Sequence, residues 1–151
     1  MRLTQQGRLI CRRVTLIACF FFAGISASVA QTEACPQEMA MKAESEASTL
    51  GTWQAVLVSY KKYKQCDDGA IAEGYSSSIA SLLADHWNDI GELTKLNNQD
   101  TGFRKFVLHH VDETMSLDQA TMIKKNITQK CPAGAKELCA EIQRQFLAGG
   151  I

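Results

Sequence analysis

The sequence has no sustained apolar–polar alternation of period two, and this removes half-buried strands as its organising element. Beyond residue 30 there is no run of apolar residues long enough to span a bilayer. Aromatic residues make up 7% of the chain, which leaves few stacking platforms for sugar rings. There is no HExxH helix, no nucleophile elbow around a serine, and no linker, charge block or low-complexity stretch. What is present is an apolar N-terminal segment, an even set of cysteines and apolar residues that recur every three or four positions.

The N-terminus carries Arg2, Arg8, Arg12 and Arg13 ahead of an apolar run from Val14, with Ala-Ser-Val-Ala before Gln31. A basic region, an apolar core and small residues at −3 and −1 predict a secretory signal peptide, residues 1–30, cut after Ala30. An uncleaved anchor fits less well, because the run is only about 17 residues and is interrupted by Gly24, Ser26 and Ser28. Lipidation at Cys19 is the minority alternative, since Phe20, Phe21 and Phe22 continue the apolar core beyond it. Arg12-Arg13 resembles a twin-arginine signal, but its flanking residues fit poorly. The expected location is therefore periplasmic or secreted.

Residues 31–151 remain, enough for a single domain with one core. Twelve basic residues face sixteen acidic ones in this part, a net charge of −4. Nucleic acid and anionic membrane surfaces are poor partners for such a balance.

Four cysteines also remain: Cys35, Cys66, Cys131 and Cys139. An even count in a small exported domain predicts two disulfides. A helix from Cys35-Pro36 to about Ser48 is followed, after a break at Leu50-Gly51-Thr52, by a second with Trp53, Val56, Leu57, Tyr60 and Tyr63 on one face. A hairpin about Gly51 brings Cys35 and Cys66 together at its open end. Cys131 and Cys139 flank a short loop between the last two helices and form the second pair.

A central helix follows, with Ile71, Tyr75, Ile79, Leu82, Leu83 and Trp87 at helical spacing. A shorter helix with Ile90, Leu93 and Leu96 leads to Asn97–Gly102, which reads as the clearest loop in the chain. The next helix places Phe103, Phe106, Val107, His110 and Val111 together and ends near Met115. Ser116-Leu117-Asp118-Gln119 is a capping box that opens a helix to about Lys130, and a last helix carries Leu138, Cys139, Ile142 and Phe146. The Gly149-Gly150-Ile151 tail is expected to fray. The expected fold is all-α: a compact bundle or stacked hairpins of six to seven helices with two disulfides.

Within Cys66–Tyr75, Asp67, Asp68 and Glu73 pose the question of a carboxylate site. Asp67 or Asp68 is better read as the cap of the central helix, because Asp is among the preferred N-caps and a calcium loop needs more oxygen ligands. Glu73 stands beside Gly74 and Tyr75, in a helix where glycine costs about 1 kcal/mol and signals close packing or an approaching partner. His109 and His110 point about 100° apart on a helix and do not form a metal-spaced pair. His110 falls in the apolar stripe as a hydrogen-bonded core residue. His86, beside Asp85, closes the central helix, and a joint site of Asp85, His86 and His109 would require tertiary convergence. Asn126-Ile127-Thr128 matches a glycosylation sequon but lies inside a helix. No metal or cofactor is implied. The candidate functional surface is thus Glu73, Tyr75, Asp85, His86 and His109, with no catalytic residue assigned.

The block CDDGAIAEGYSSSIASLLADHW resembles the central block of uncharacterised bacterial exported proteins. The plan of a cleaved signal, a small all-α domain and two disulfides is similar to that of periplasmic immunity proteins that neutralise amidases delivered by type VI secretion. That resemblance is one of architecture. It implies a non-enzymatic protein-interaction domain whose partner is another protein. Two alternatives are a small cell-wall hydrolase using Glu73 as its acid and a carrier of a small apolar ligand.

Overall fold

A computed structural model describes residues 34–149. The expected signal peptide, its expected cleavage after Ala30, Cys19 and the last two residues of the tail lie outside the described residues. The described chain contains seven α-helices and no strand. These are α1 (Gln37–Ala47), α2 (Trp53–Tyr63), α3 (Gly69–Asp85), α4 (Ile90–Gln99), α5 (Thr101–His109), α6 (Leu117–Gln129) and α7 (Lys136–Ala148). Short 3-10 turns at Lys64–Cys66, Trp87–Asp89 and Ala133–Ala135 join α2 to α3, α3 to α4 and α6 to α7.

The first hairpin forms as its sequence implies. Thr52 caps α2, its hydroxyl accepting from the Ala55 N–H at 3.1 Å, and the orphan amides of the first turn gain one partner. Cys35 and Cys66 are joined at the open end, with their Cα atoms 4.9 Å apart. Cys131 and Cys139 are joined likewise across the Ala133–Ala135 turn.

Helix α3 is the centre of the fold and packs against both α1 and α6. It buries Ile71, Tyr75, Ile79, Leu82 and Leu83, and Trp87 joins the same core just beyond its end. Small residues decide how closely α1 approaches. A Cβ on Gly74 would stand 2.9 Å from the Ala47 Cβ and 3.2 Å from the Ser48 amide nitrogen. Gly74 therefore lets the two helices touch at the backbone.

The ends of these helices are tied by polar side chains from their neighbours. The Ser78 hydroxyl donates to the Ala47 carbonyl at 2.7 Å and accepts from the Leu50 N–H, closing the end of α1. Asn126 Nδ2 donates to the Leu83 and Ala84 carbonyls at 3.1 and 3.0 Å, closing the end of α3. Trp87 Nε1 donates to the Lys130 carbonyl at the end of α6. Carbonyls that a helix terminus leaves unpaired thus find donors across the packing. The sequon asparagine is one of those donors, and it is buried.

Two elements depart from the sequence reading. Asn97–Gly102 is not a loop: α4 runs through Gln99, α5 starts at Thr101, and Asp100 alone separates them. The polar run misleads because Asn97, Asp100 and Gly102 each fit a helix or its cap. Asp100 Oδ1 accepts from the Phe103 N–H at 2.9 Å as the cap of α5, and Asn97 is buried in the packing of α4. Gly102 leaves room for the Tyr60 hydroxyl, which would lie 2.5 Å from a Cβ at that position. Helix α5, in turn, ends at His109 rather than near Met115. His110 and Val111 are buried as expected, but in the turn that follows.

Candidate functional site

The most connected polar cluster joins three segments. Asp68 is the residue that caps α3, its side chain accepting from the Gly69 N–H at 2.8 Å, and Gly69 takes the left-handed conformation with φ 52°. That division of labour frees Asp67 to turn inward. Its Oδ2 lies 3.2 Å from His110 Nε2. On the other side of the ring, His110 Nδ1 lies 3.0 Å from Ser76 Oγ on α3. The Ser76 hydroxyl donates to Asp112 Oδ2 at 2.7 Å, and Asp112 Oδ1 accepts from the Thr114 N–H at 2.9 Å and from the Thr114 hydroxyl.

A serine, a histidine and an aspartate in series have the connectivity of a hydrolytic triad, but not its chemistry. Ser76 is 2% exposed, and its only hydroxyl proton is held by Asp112. A nucleophile must pass that proton to the imidazole and meet a substrate. Here the series clamps α3, the turn after α5 and the segment before α3 together. Burial alone would raise the Asp112 carboxyl. Hydrogen bonds from the Thr114 side chain, Ser76 and the Thr114 backbone, together with the charge of His110, outweigh burial and hold it below the ordinary carboxylate range.

Tyr75 belongs to the same interior. It is fully buried, which corrects its placement on a functional surface. Its hydroxyl pairs with Ser59 Oγ at 2.9 Å, and Phe106 meets its ring edge-on with centroids 4.9 Å apart. Burial pushes the phenol up, the Ser59 hydrogen bond opposes this, and the Asp67 carboxylate reinforces it. The helix period puts Tyr75 in the core stripe, and a residue on that stripe is spent on packing.

The four remaining surface candidates are exposed but do not form one site. Glu73 sits in the second turn of α3, whereas Asp85 and His86 close that helix, about 18 Å further along its axis. His109 is in the last turn of α5, its ring 5.3 Å from that of His110. Among the described residues there is no group of three or more His, Cys, Asp or Glu placed to hold a metal ion. None of the described helices is long and apolar enough to cross a membrane.

The surface offers a different candidate. Between α6 and α7 lies a groove of about 180 Å³ lined by Lys124, Ile127, Thr128, Gln143, Phe146 and Leu147. Leu147 is 76% exposed at its rim, beside the buried Phe146. Sequence reasoning missed it, although a signal existed: Leu147 is a large apolar residue one position off the α7 stripe. Arg104 fixes α5 to the other side of α7, reaching Glu137 at 2.7 Å and Glu141 at 2.8 Å. Those hydrogen bonds, to Glu137 first, outweigh its partial desolvation and raise the guanidinium above its ordinary value.

Comparison with protein-family models, curated proteins and solved structures returns no match.

Proposed function

We propose that this chain is an exported, non-enzymatic protein-interaction domain of the immunity or inhibitor type, acting in the periplasm by occluding a partner protein. The observation that carries the reading is the α6–α7 groove, where the exposed Leu147 offers apolar surface beside the buried Phe146 on a scaffold stapled by two disulfides. Disulfides are compatible with an oxidising compartment. A groove of about 180 Å³ is smaller than the 300–1,000 Å³ typical of small-molecule sites, and it suits one or two apolar side chains of a partner. Fixed helices lose little freedom on docking, so more of the contact energy appears as affinity.

The test pairs capture of a partner from periplasmic extract with growth of cells that carry or lack the gene. Loss of both capture and protection in a Leu147→Asp variant supports the reading. Absence of any partner together with absence of protection ends the immunity assignment. Purified protein that releases muropeptides, with loss of release in Glu73→Gln, would replace it with the hydrolase reading.

A further inference from the structure

We infer that the buried chain Asp67–His110–Ser76–Asp112 is a proton-dependent latch in which His110 is a buried imidazolium, both of its ring nitrogens donating. With both aspartates ionised, the hydrogen-bond directions call for it. Ser76 has one hydroxyl proton, and that proton goes to the Asp112 carboxylate. Toward His110 the same oxygen can therefore only accept, so Nδ1 carries a hydrogen. At the other nitrogen stands Asp67 Oδ2, an acceptor when ionised, so Nε2 carries a hydrogen as well. Asp67 Oδ1 is buried and has no hydrogen-bond partner. A carboxylate so placed is costly unless a positive donor faces it, and among the described residues His110 is the one within reach.

His110 is 2% exposed and is faced from each element around it. Asp67 approaches from the segment before α3, and Ser76 and Tyr75 from α3 itself. Phe106 and His109 flank it on α5, and Asp112 reaches it through Ser76 from the following turn. The charges bearing on the ring are thus two carboxylates and the neighbouring His109. With two ring protons every bond in the chain is made. Removal of one leaves either Asp67 without its donor or His110 Nδ1 and Asp112 Oδ2 competing for the single Ser76 hydroxyl proton. The latch is closed while the ring holds both protons and opens as rising pH takes one away. It holds the turn 110–115, which carries the exposed Glu113 beside the exposed His109. The proton therefore governs whether that edge of the molecule is fixed.

Ring ¹⁵N shifts of the intact, oxidised protein test this directly. At neutral pH both His110 nitrogens are expected to show the protonated signature. In Asp112→Ala the Ser76 hydroxyl is free to turn toward the ring, and Nδ1 is expected to lose its proton. Amide exchange at Val111 and Thr114 is expected to rise about tenfold in alkaline buffer beyond the intrinsic chemical rate, with no such rise in Asp112→Ala. An unprotonated nitrogen on wild-type His110 at neutral pH, with the proton on Asp67 or absent, would overturn the latch. Exchange in the 110–115 turn that follows only the intrinsic rate would overturn its opening.

Discussion

Gly74 and Tyr75 occupy adjacent positions on α3 and are constrained by opposite needs. At Gly74 the neighbour is Ala47 and its backbone, so an added methyl has to displace a helix rather than a flexible side chain. Gly74→Ala gains up to about 1 kcal/mol of helix propensity and incurs about 1–3 kcal/mol of overpacking. The expected outcome is a net loss of about 1 kcal/mol in urea unfolding, and a more stable variant would show that α1 yields easily. At Tyr75 the need is for the hydroxyl, because Ser59 is 2% exposed and pairs with it. Tyr75→Phe is expected to lower stability by about 1–2 kcal/mol by leaving the serine unpaired. Glu73, between neither constraint, points to solvent. The sequence reading left Glu73, Gly74 and Tyr75 as one unexplained group, and the structure gives each a separate account.

At the scale of elements, the hairpin and the disulfides were legible because they are local. Thr52 and Ser116 announce helix starts, and both hydroxyls accept the expected amide. The cysteine pairs follow from helix lengths on either side of a turn. Cys35–Cys66 spans 31 positions and Cys131–Cys139 spans 8. Chain entropy then assigns roughly 3.5 kcal/mol to the first and roughly 2.5 kcal/mol to the second. Removing the first pair as a Cys35→Ala/Cys66→Ala double variant should lower the denaturant midpoint more than removing the second. The reverse order would show that native packing rather than loop closure sets their worth. The α4–α5 junction was not legible, because Asn, Asp and Gly mark a cap, a buried amide and a close approach as readily as they mark a loop. Only the neighbours Tyr60 and Phe103 distinguish these.

At the scale of the whole molecule, charge and surface make further predictions. The Asp112 carboxyl is held below its ordinary value in the folded state. A depressed carboxyl contributes stability that is present above its unfolded value and is lost as pH falls through the folded one. Acid titration of wild-type stability should therefore show a loss below the ordinary carboxylate range that is reduced in Asp112→Asn. A variant with the wild-type acid profile would place the sensitivity elsewhere. Leu147→Asp, at an exposed rim, should leave helicity and thermal midpoint nearly unchanged. Under the proposed interaction role its effect falls on partner capture alone, and a large loss of stability would mean the rim is part of the core.

The sequence by itself determined the all-α class, the two cysteine pairs and most of the core, since these rest on periodicity, capping and chain length between neighbouring segments. The same rules separated Asp68 as a cap from any metal loop, although they could not say which of the two aspartates turns inward. That choice, the burial of Tyr75, the continuous α4–α5 pair and the groove beside Leu147 were decided by tertiary packing. The reason is distance along the chain. Asp67 meets His110 across 43 positions, Ser76 meets Asp112 across 36, and Asn126 meets Leu83 across 43. Hydrogen bonds of that reach depend on how the helices are stacked. The Cys66–Tyr75 stretch is therefore a junction whose cap could be read from the sequence and whose inward aspartate could not.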